Sequence, residues 1–169
     1  MIRERHDVST NDELEIVARL VLAAAVGGFV GLERELRGYP AGIRTLALVA
    51  IGATLFTEIS QLLGGNDRVA AQIVTGIGFI GAGLIFREGY SVRGITTAST
   101  IWAVAAMGMA IGLELYIVAV AGAVLLFVVL EARPLTRRVE RAVAPGEEVL
   151  RRVLRRDDED GDEPIEDED

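Results

Sequence analysis

The sequence has no cysteine and no lysine, a single histidine, four prolines and nine aromatic residues in 169. Without cysteine there is no disulfide, no thiolate metal site and no catalytic thiol. The lone His6 sits in the polar N-terminal segment, no G-x-S-x-G motif occurs, and no pair of acids falls in a plausible pocket. An enzyme is therefore not expected, and no cofactor is implied. The N-terminus also lacks the compact basic region and cleavage site of a signal peptide. Its first apolar run is expected to act as its own insertion signal.

What is abundant points to a bilayer. Hydrophobic residues make up 51% of the chain, mean hydropathy is positive, and 19 glycines accompany the four prolines. A membrane helix needs roughly 20 mostly apolar residues, and apolar stretches near that length recur from residue 14 to residue 131. Three run over about 14–32, 45–63 and 69–86. A fourth stretch, 95–130, is interrupted only by Glu114 and is too long for one crossing at ordinary tilt. Gly112 and Glu114 are read as a turn that divides it into spans of about 95–112 and 115–130. The expected fold is an all-α membrane protein, a polytopic bundle of five transmembrane helices, with a short cytoplasmic tail. Residues 1–13 form an extracytoplasmic segment, 14–131 the transmembrane domain, 132–156 a basic amphipathic segment and 157–169 an acidic tail.

Arginine counting sets the expected orientation, because cytoplasmic loops accumulate positive residues during insertion. The loop after span one carries Arg34, Arg37 and Arg44, the loop after span three carries Arg87 and Arg93, and eight arginines follow span five. Five spans place all three on one side, with the N-terminus outside and the C-terminus cytoplasmic. Ten of the 25 acids lie in residues 157–169, so the remaining 15 face 17 arginines and the body is mildly basic. In the tail, Val149, Leu150, Val153 and Leu154 share one helical face opposite four arginines, which suits an anionic leaflet. The acidic run beyond it is too charged to fold.

A faint repeat appears at a spacing near fifty residues: Gly28-Phe29-Val30-Gly31 parallels Gly78-Phe79-Ile80-Gly81, and Thr45 parallels Thr96. A duplicated helix hairpin and chance similarity in Gly-rich apolar sequence both account for it. The segment Gly76-Ile-Gly-Phe-Ile-Gly-Ala-Gly83 matches G-x-G-x-x-G, yet it lies inside an apolar span and has no acid about twenty residues later. It reads as helix packing. Gly76, Gly78, Gly81 and Gly83, with Gly27 and Gly31 in span one and Gly108 and Gly112 in span four, offer small-residue faces for close approach. Those faces serve either packing within the chain or a homodimer.

Charges and hydroxyls at the span boundaries are the candidate functional residues. Glu33, Arg34, Glu35, Arg44 and Thr45 flank the first polar loop, and Arg87 and Arg93 the second. They either anchor helix ends or fold together into a polar site for an ion or a partner. Glu33 and Glu35 could hold hydrated magnesium, although neighbouring arginines argue against it, and metal binding stays unassigned. Inside the membrane, Gln72, Thr97 and Thr100 either bond carbonyls one turn back or line a polar path with Thr96. Glu58 is read as snorkelling or pairing with Arg68, and Trp102 as packing.

Four blocks carry a resemblance: G-L-E-R-E at 31–35, A-G-I-R-T at 41–45, R-V-A-A-Q-I-V-T-G-I-G-F-I-G-A-G-L-I-F-R at 68–87 and V-R-G-I-T-T-A-S-T-I-W at 92–102. In this order and spacing the chain resembles the membrane domain of the MgtC/SapB family. The resemblance implies a prokaryotic inner-membrane protein linked to growth under magnesium limitation. In the virulence branch it implies regulation of another membrane complex, the ATP synthase. Two departures separate this chain from that branch. Thr96 and Ala103 stand where the branch carries Asn and Cys, and the short tail is more similar to SapB-like members. The expectation is a regulator of ion homeostasis acting through a membrane partner, with the lipid bilayer as its solvent and no nucleic-acid role. The alternative is a cation carrier or channel through the bundle.

Overall fold

The computed structural model describes residues 9–65, 67–88 and 91–132. The chain divides into two units, residues 1–128 and 129–169, and the second is described only over residues 129–132. Five helices and one small hairpin follow in the order α1 (Thr10–Leu36), α2 (Ile43–Leu62), α3 (Asp67–Ala82), β1 (Phe86–Glu88), β2 (Ser91–Arg93), α4 (Ile95–Gly112) and α5 (Tyr116–Glu131). The N-terminal segment before residue 9 and the tail readings beyond residue 132 lie outside the described residues.

Local chemistry sets the helix ends. Helix α1 begins four residues ahead of the apolar run because Ser9 caps it. The Ser9 hydroxyl accepts from Asn11 N–H, and the Asp12 carboxylate accepts from Ser9 N–H at 2.9 Å, a capping box that satisfies donors the first turn leaves open. Three helices end in one hydrogen-bond pattern, in which the second residue past the cap donates back five positions and the first adopts a left-handed backbone. It closes α1 at Gly38 (φ 73°), with Tyr39 N–H on Arg34 C=O, and α2 at Gly64 (φ 99°), with Gly65 N–H on Ser60 C=O. It also divides the long apolar stretch: α4 ends at Gly112, Leu115 N–H donates to Ala110 C=O, and the left-handed residue is Glu114 at φ 64°.

The third span departs from expectation at its end. Apolar composition carried it to Phe86, but the helix stops at Ala82 and the chain turns through Gly83 and Leu84. β1 and β2 then pair antiparallel, with Phe86 opposite Arg93, Arg87 opposite Val92 and Glu88 opposite Ser91. The return is tight. Gly94, at φ 92°, presses on the Leu84 carbonyl where any Cβ would collide, so the loop closes only on glycine.

Among the described residues, α1, α2 and α4 are long and apolar enough to cross a membrane by length and composition, and α5 is a shorter apolar helix. Helices α3 and α5 have 16 residues each, about 24 Å at 1.5 Å per residue.

Close contacts fix the direction of each helix. Gly27 approaches the Leu46 carbonyl and Gly31 approaches Ile43, so α1 and α2 run antiparallel; a Cβ on Gly31 would sit 2.6 Å from the Ile43 Cα. Gly108 meets Ala50, and Gly112 meets Thr54 and Thr57, so α2 and α4 run parallel, backbone against backbone. In lipid, where apolar burial between helices gains little, this dispersion contact is the main source of cohesion. The core is correspondingly small-residue: Ala23, Val26, Val30, Leu46, Ala50, Ala53, Val104 and Ala105 are buried. Gly81 rests on Ala98, but Gly76 and Gly78 have nothing within 4 Å of an added Cβ among the described residues. Of the α3 glycines offered for packing within the chain or for a homodimer, Gly81 is buried, while Gly76 and Gly78 are exposed.

Candidate functional site

Two charge clusters form, one at each end of the bundle, each with a buried charged side chain, Arg34 in one and Glu58 in the other. The first gathers where α1 ends and α2 and α4 begin. Arg34, in the last turn of α1, is 1% exposed. Its Nη2 donates to Thr97 Oγ1 at 2.9 Å in the first turn of α4, and its Cζ lies 3.6 Å from the centroid of the Tyr39 ring. Three effects make this burial tolerable: the negative end of the α1 dipole, the ring's electron-rich face and the hydroxyl. Arginine suits the place better than lysine, since a planar guanidinium can stack and hydrogen-bond at once.

Its neighbours complete the junction. Glu35 Oε2 accepts from Ile43 N–H at 2.9 Å, so a carboxylate from α1 caps the N-terminus of α2, whose own cap residue, Gly42, has no side chain to do so. A methyl at Gly42 would meet that carboxylate at 2.5 Å. Glu33 is buried, with Oε1 2.7 Å from Arg37 Nε, close enough for an ion pair but not aligned as a hydrogen bond, and neither oxygen has a hydrogen-bond donor among the described residues. Thr100 is buried and bonds the Thr96 carbonyl at 2.8 Å.

The other expected residues do not join them. Arg44 is exposed and Thr45 half-buried in the first turn of α2. Arg87 and Arg93 are exposed, and the hairpin register puts them on opposite faces. Gln72 is exposed on α3, toward the opposite end of the bundle. Thr97 and Thr100 are buried, whereas Thr96 and Gln72, named with them in the alternative of a polar path, are exposed.

The second cluster centres on Arg19, which sequence reasoning passed over. Its Nη1 lies 2.8 Å from Glu58 Oε1, its Nη2 lies 2.8 Å from Glu114 Oε1 and 3.4 Å from Glu15 Oε2, and its Nε donates to the Tyr116 hydroxyl at 3.0 Å. Glu58, read from the sequence as either snorkelling or pairing with Arg68, is instead buried and paired with Arg19. The antiparallel packing of α1 on α2 brings residues 39 positions apart to one level. Exposure grades the partners: Glu58's side chain is 6% exposed and Glu114's 63%. Beside them opens a cleft of about 370 Å³ lined by Glu15, Ala18, Arg19, Leu22, Glu114 and Tyr116. One signal could have found this cluster. Arg19 is the single charge between Glu15 and Glu33, and a charge inside an apolar span needs a partner.

With this geometry in view, comparison with known proteins decides the family. The model of the MgtC family matches residues 20–139. The chain belongs to the MgtC family. Relatives include Protein MgtC of Brucella abortus (strain 2308), 52% identical over 98 residues, covering 56% of this chain and 41% of the relative. The putative magnesium transporter YhiD of Escherichia coli (strain K12) is 43% identical over 129 residues, covering 69% of this chain and 60% of the relative. Protein MgtC of Salmonella typhimurium (strain 14028s / SGSC 2262) is 48% identical over 99 residues, covering 57% and 43%. The chain thus spans less than two thirds of the length of each of these relatives. No solved structure matches it significantly. Both charge clusters lie within or beside the matched region, Arg19 one residue ahead of it.

Proposed function

We infer that this membrane protein of the MgtC family is a regulator in magnesium homeostasis that acts by contact with another membrane protein. The observation that supports this reading is how the polar groups inside the bundle are used. Arg34 bonds Thr97, Thr54 donates to the Gly108 carbonyl at 2.8 Å, Thr57 to Ala53, and Arg19 pairs with Glu58. These groups tie helix to helix or turn to turn. Among the described residues no three acidic or histidine side chains are grouped to hold a metal ion, and the three glutamates that do come together surround the Arg19 guanidinium. Gln72, Arg44, Arg87 and Arg93 are exposed, which is consistent with contact with a protein neighbour. The family resemblance makes the ATP synthase the first partner to test.

The second reading, a carrier or channel, is favoured by the name of the E. coli relative, a putative magnesium transporter. One pair of measurements separates the two. For a regulator, purified full-length protein in liposomes moves no magnesium, and crosslinking in native membranes recovers a discrete membrane complex. Magnesium flux that disappears on Thr97→Val would establish the carrier instead.

Five crossings, with the N-terminus outside and the C-terminus cytoplasmic in the inner membrane, complete the proposal. The helix directions support it, because α1, α3 and α5 then cross one way, and α2 and α4 the other. A reporter fused after Asp169 is expected to read cytoplasmic, and an external signal would overturn this orientation.

A further inference from the structure

Three helices close on a left-handed residue, which is glycine at positions 38 and 64 but glutamate at position 114. Glu114 is the one non-glycine residue with positive φ among those described. An L side chain adopts this conformation only against steric opposition, so its carboxylate must matter there. It reaches Arg19 at 2.8 Å, and Tyr116, two residues on, accepts from the same guanidinium at 3.0 Å. Both partners stand at the entrance to α5.

Among the described residues, helix α5 has little else to orient it. From Tyr116 to Val128 its buried hydrophobic residues are Ala119 and Ala123, which offer few atoms for dispersion. Gly122 lies against Met107, and Phe127 tilts against Phe29 with ring centroids 5.3 Å apart. These contacts run in the same order along both helices, Arg19 to Tyr116 and then Phe29 to Phe127, so α5 is parallel to α1 and pinned at one end by Arg19.

We propose that Arg19 is a latch for α5: a buried ion pair with Glu58 holds the guanidinium in place, and breakable, water-exposed bonds to Glu114 and Tyr116 set the position of α5 against α1. The grading of exposure gives the device its logic. The Glu58 arm is shielded and persists, whereas the Glu114 arm is open to water and ions and is screened readily. Release therefore frees α5 while α1 and α2 stay packed.

The absence of cysteine makes a clean test possible in the full chain, in native membranes. With Phe29→Cys and Phe127→Cys introduced together, the rate of oxidative disulfide formation reports how often α1 and α5 meet at that level. Adding Glu114→Gln and Tyr116→Phe is expected to slow the reaction about tenfold, the effect of a one-decade shift in population. Glu15→Gln removes a carboxylate from the same guanidinium but on α1 itself, so it should leave the rate at the parental value. Should that pair of substitutions insert poorly, Glu114→Gly combined with Tyr116→Phe decides, because it relieves the backbone at 114 while removing both exposed arms of the latch. A parental rate in the latch variants, or an equal fall with Glu15→Gln, overturns the proposal.

Discussion

Arg19→Leu is expected to destabilise the folded protein by about 3–5 kcal/mol, the penalty for leaving a buried charge without its partner. Glu58 is 4% exposed as a residue and sits one turn before the end of α2, with Arg19 as its ion-pair partner. Deleting the guanidinium leaves that carboxylate facing packed helices. The reverse substitution, Glu58→Leu, should do less harm, because Arg19 keeps Glu114, Glu15 and Tyr116 and can reach water past them. Combining Arg19→Leu with Glu58→Leu should restore most of the loss, since an apolar pair avoids the desolvation that an ion pair must overcome. The order, with Arg19→Leu worst, Glu58→Leu intermediate and the double variant near the parent, can be measured by denaturant unfolding in mixed micelles. A double variant as unstable as Arg19→Leu would mean that the pair is not what stabilises this level of the bundle.

That cluster also shows where sequence reasoning stops. Hydropathy places the helices because each is a run of apolar residues, and it divides α4 from α5 because an acid interrupts such a run. The four-residue glycine spacings of α1 and α4 likewise coincide with places where α2 comes close, at Gly27, Gly31, Gly108 and Gly112. Partner choice is a different kind of information. Glu58 stands out as an intramembrane acid, but its mate is fixed by the antiparallel register of α1 on α2, which no local pattern encodes. Arg68, ten positions on, is nearer along the chain and lies on a different element. The hairpin was hidden for another reason: three-residue strands have too few positions for a period to show, and Phe86 continues an apolar run that the backbone has already left. Gly76 and Gly78 carry the same composition as the packed glycines but lie on a face of α3 that meets nothing among the described residues. Only placement tells the two sets apart.

Arg34 is where fold and proposed function are hardest to separate, and the second large effect is expected there. Arg34→Ala removes a fully buried cation that bonds Thr97 and stacks on Tyr39. A loss of about 3 kcal/mol is expected from the space left by a large, fully buried side chain together with its lost hydrogen bond and stacking. Thr97→Val removes only the hydroxyl acceptor and should cost about 1 kcal/mol. Arg34→Lys discriminates most sharply. An ammonium keeps the charge but offers no planar face to stack on Tyr39 while bonding Thr97, so it should fall close to Arg34→Ala in stability. If the junction of α1, α2 and α4 also presents the exposed Arg44, Arg87 and Arg93 to a partner, recovery of that partner by crosslinking should fall with Arg34→Lys before the protein is lost from the membrane. Substituting Arg44 should then weaken capture with no change in unfolding, because its side chain is exposed. Parental stability in Arg34→Lys would show that charge alone satisfies the site, and that stacking on Tyr39 contributes nothing measurable to the junction.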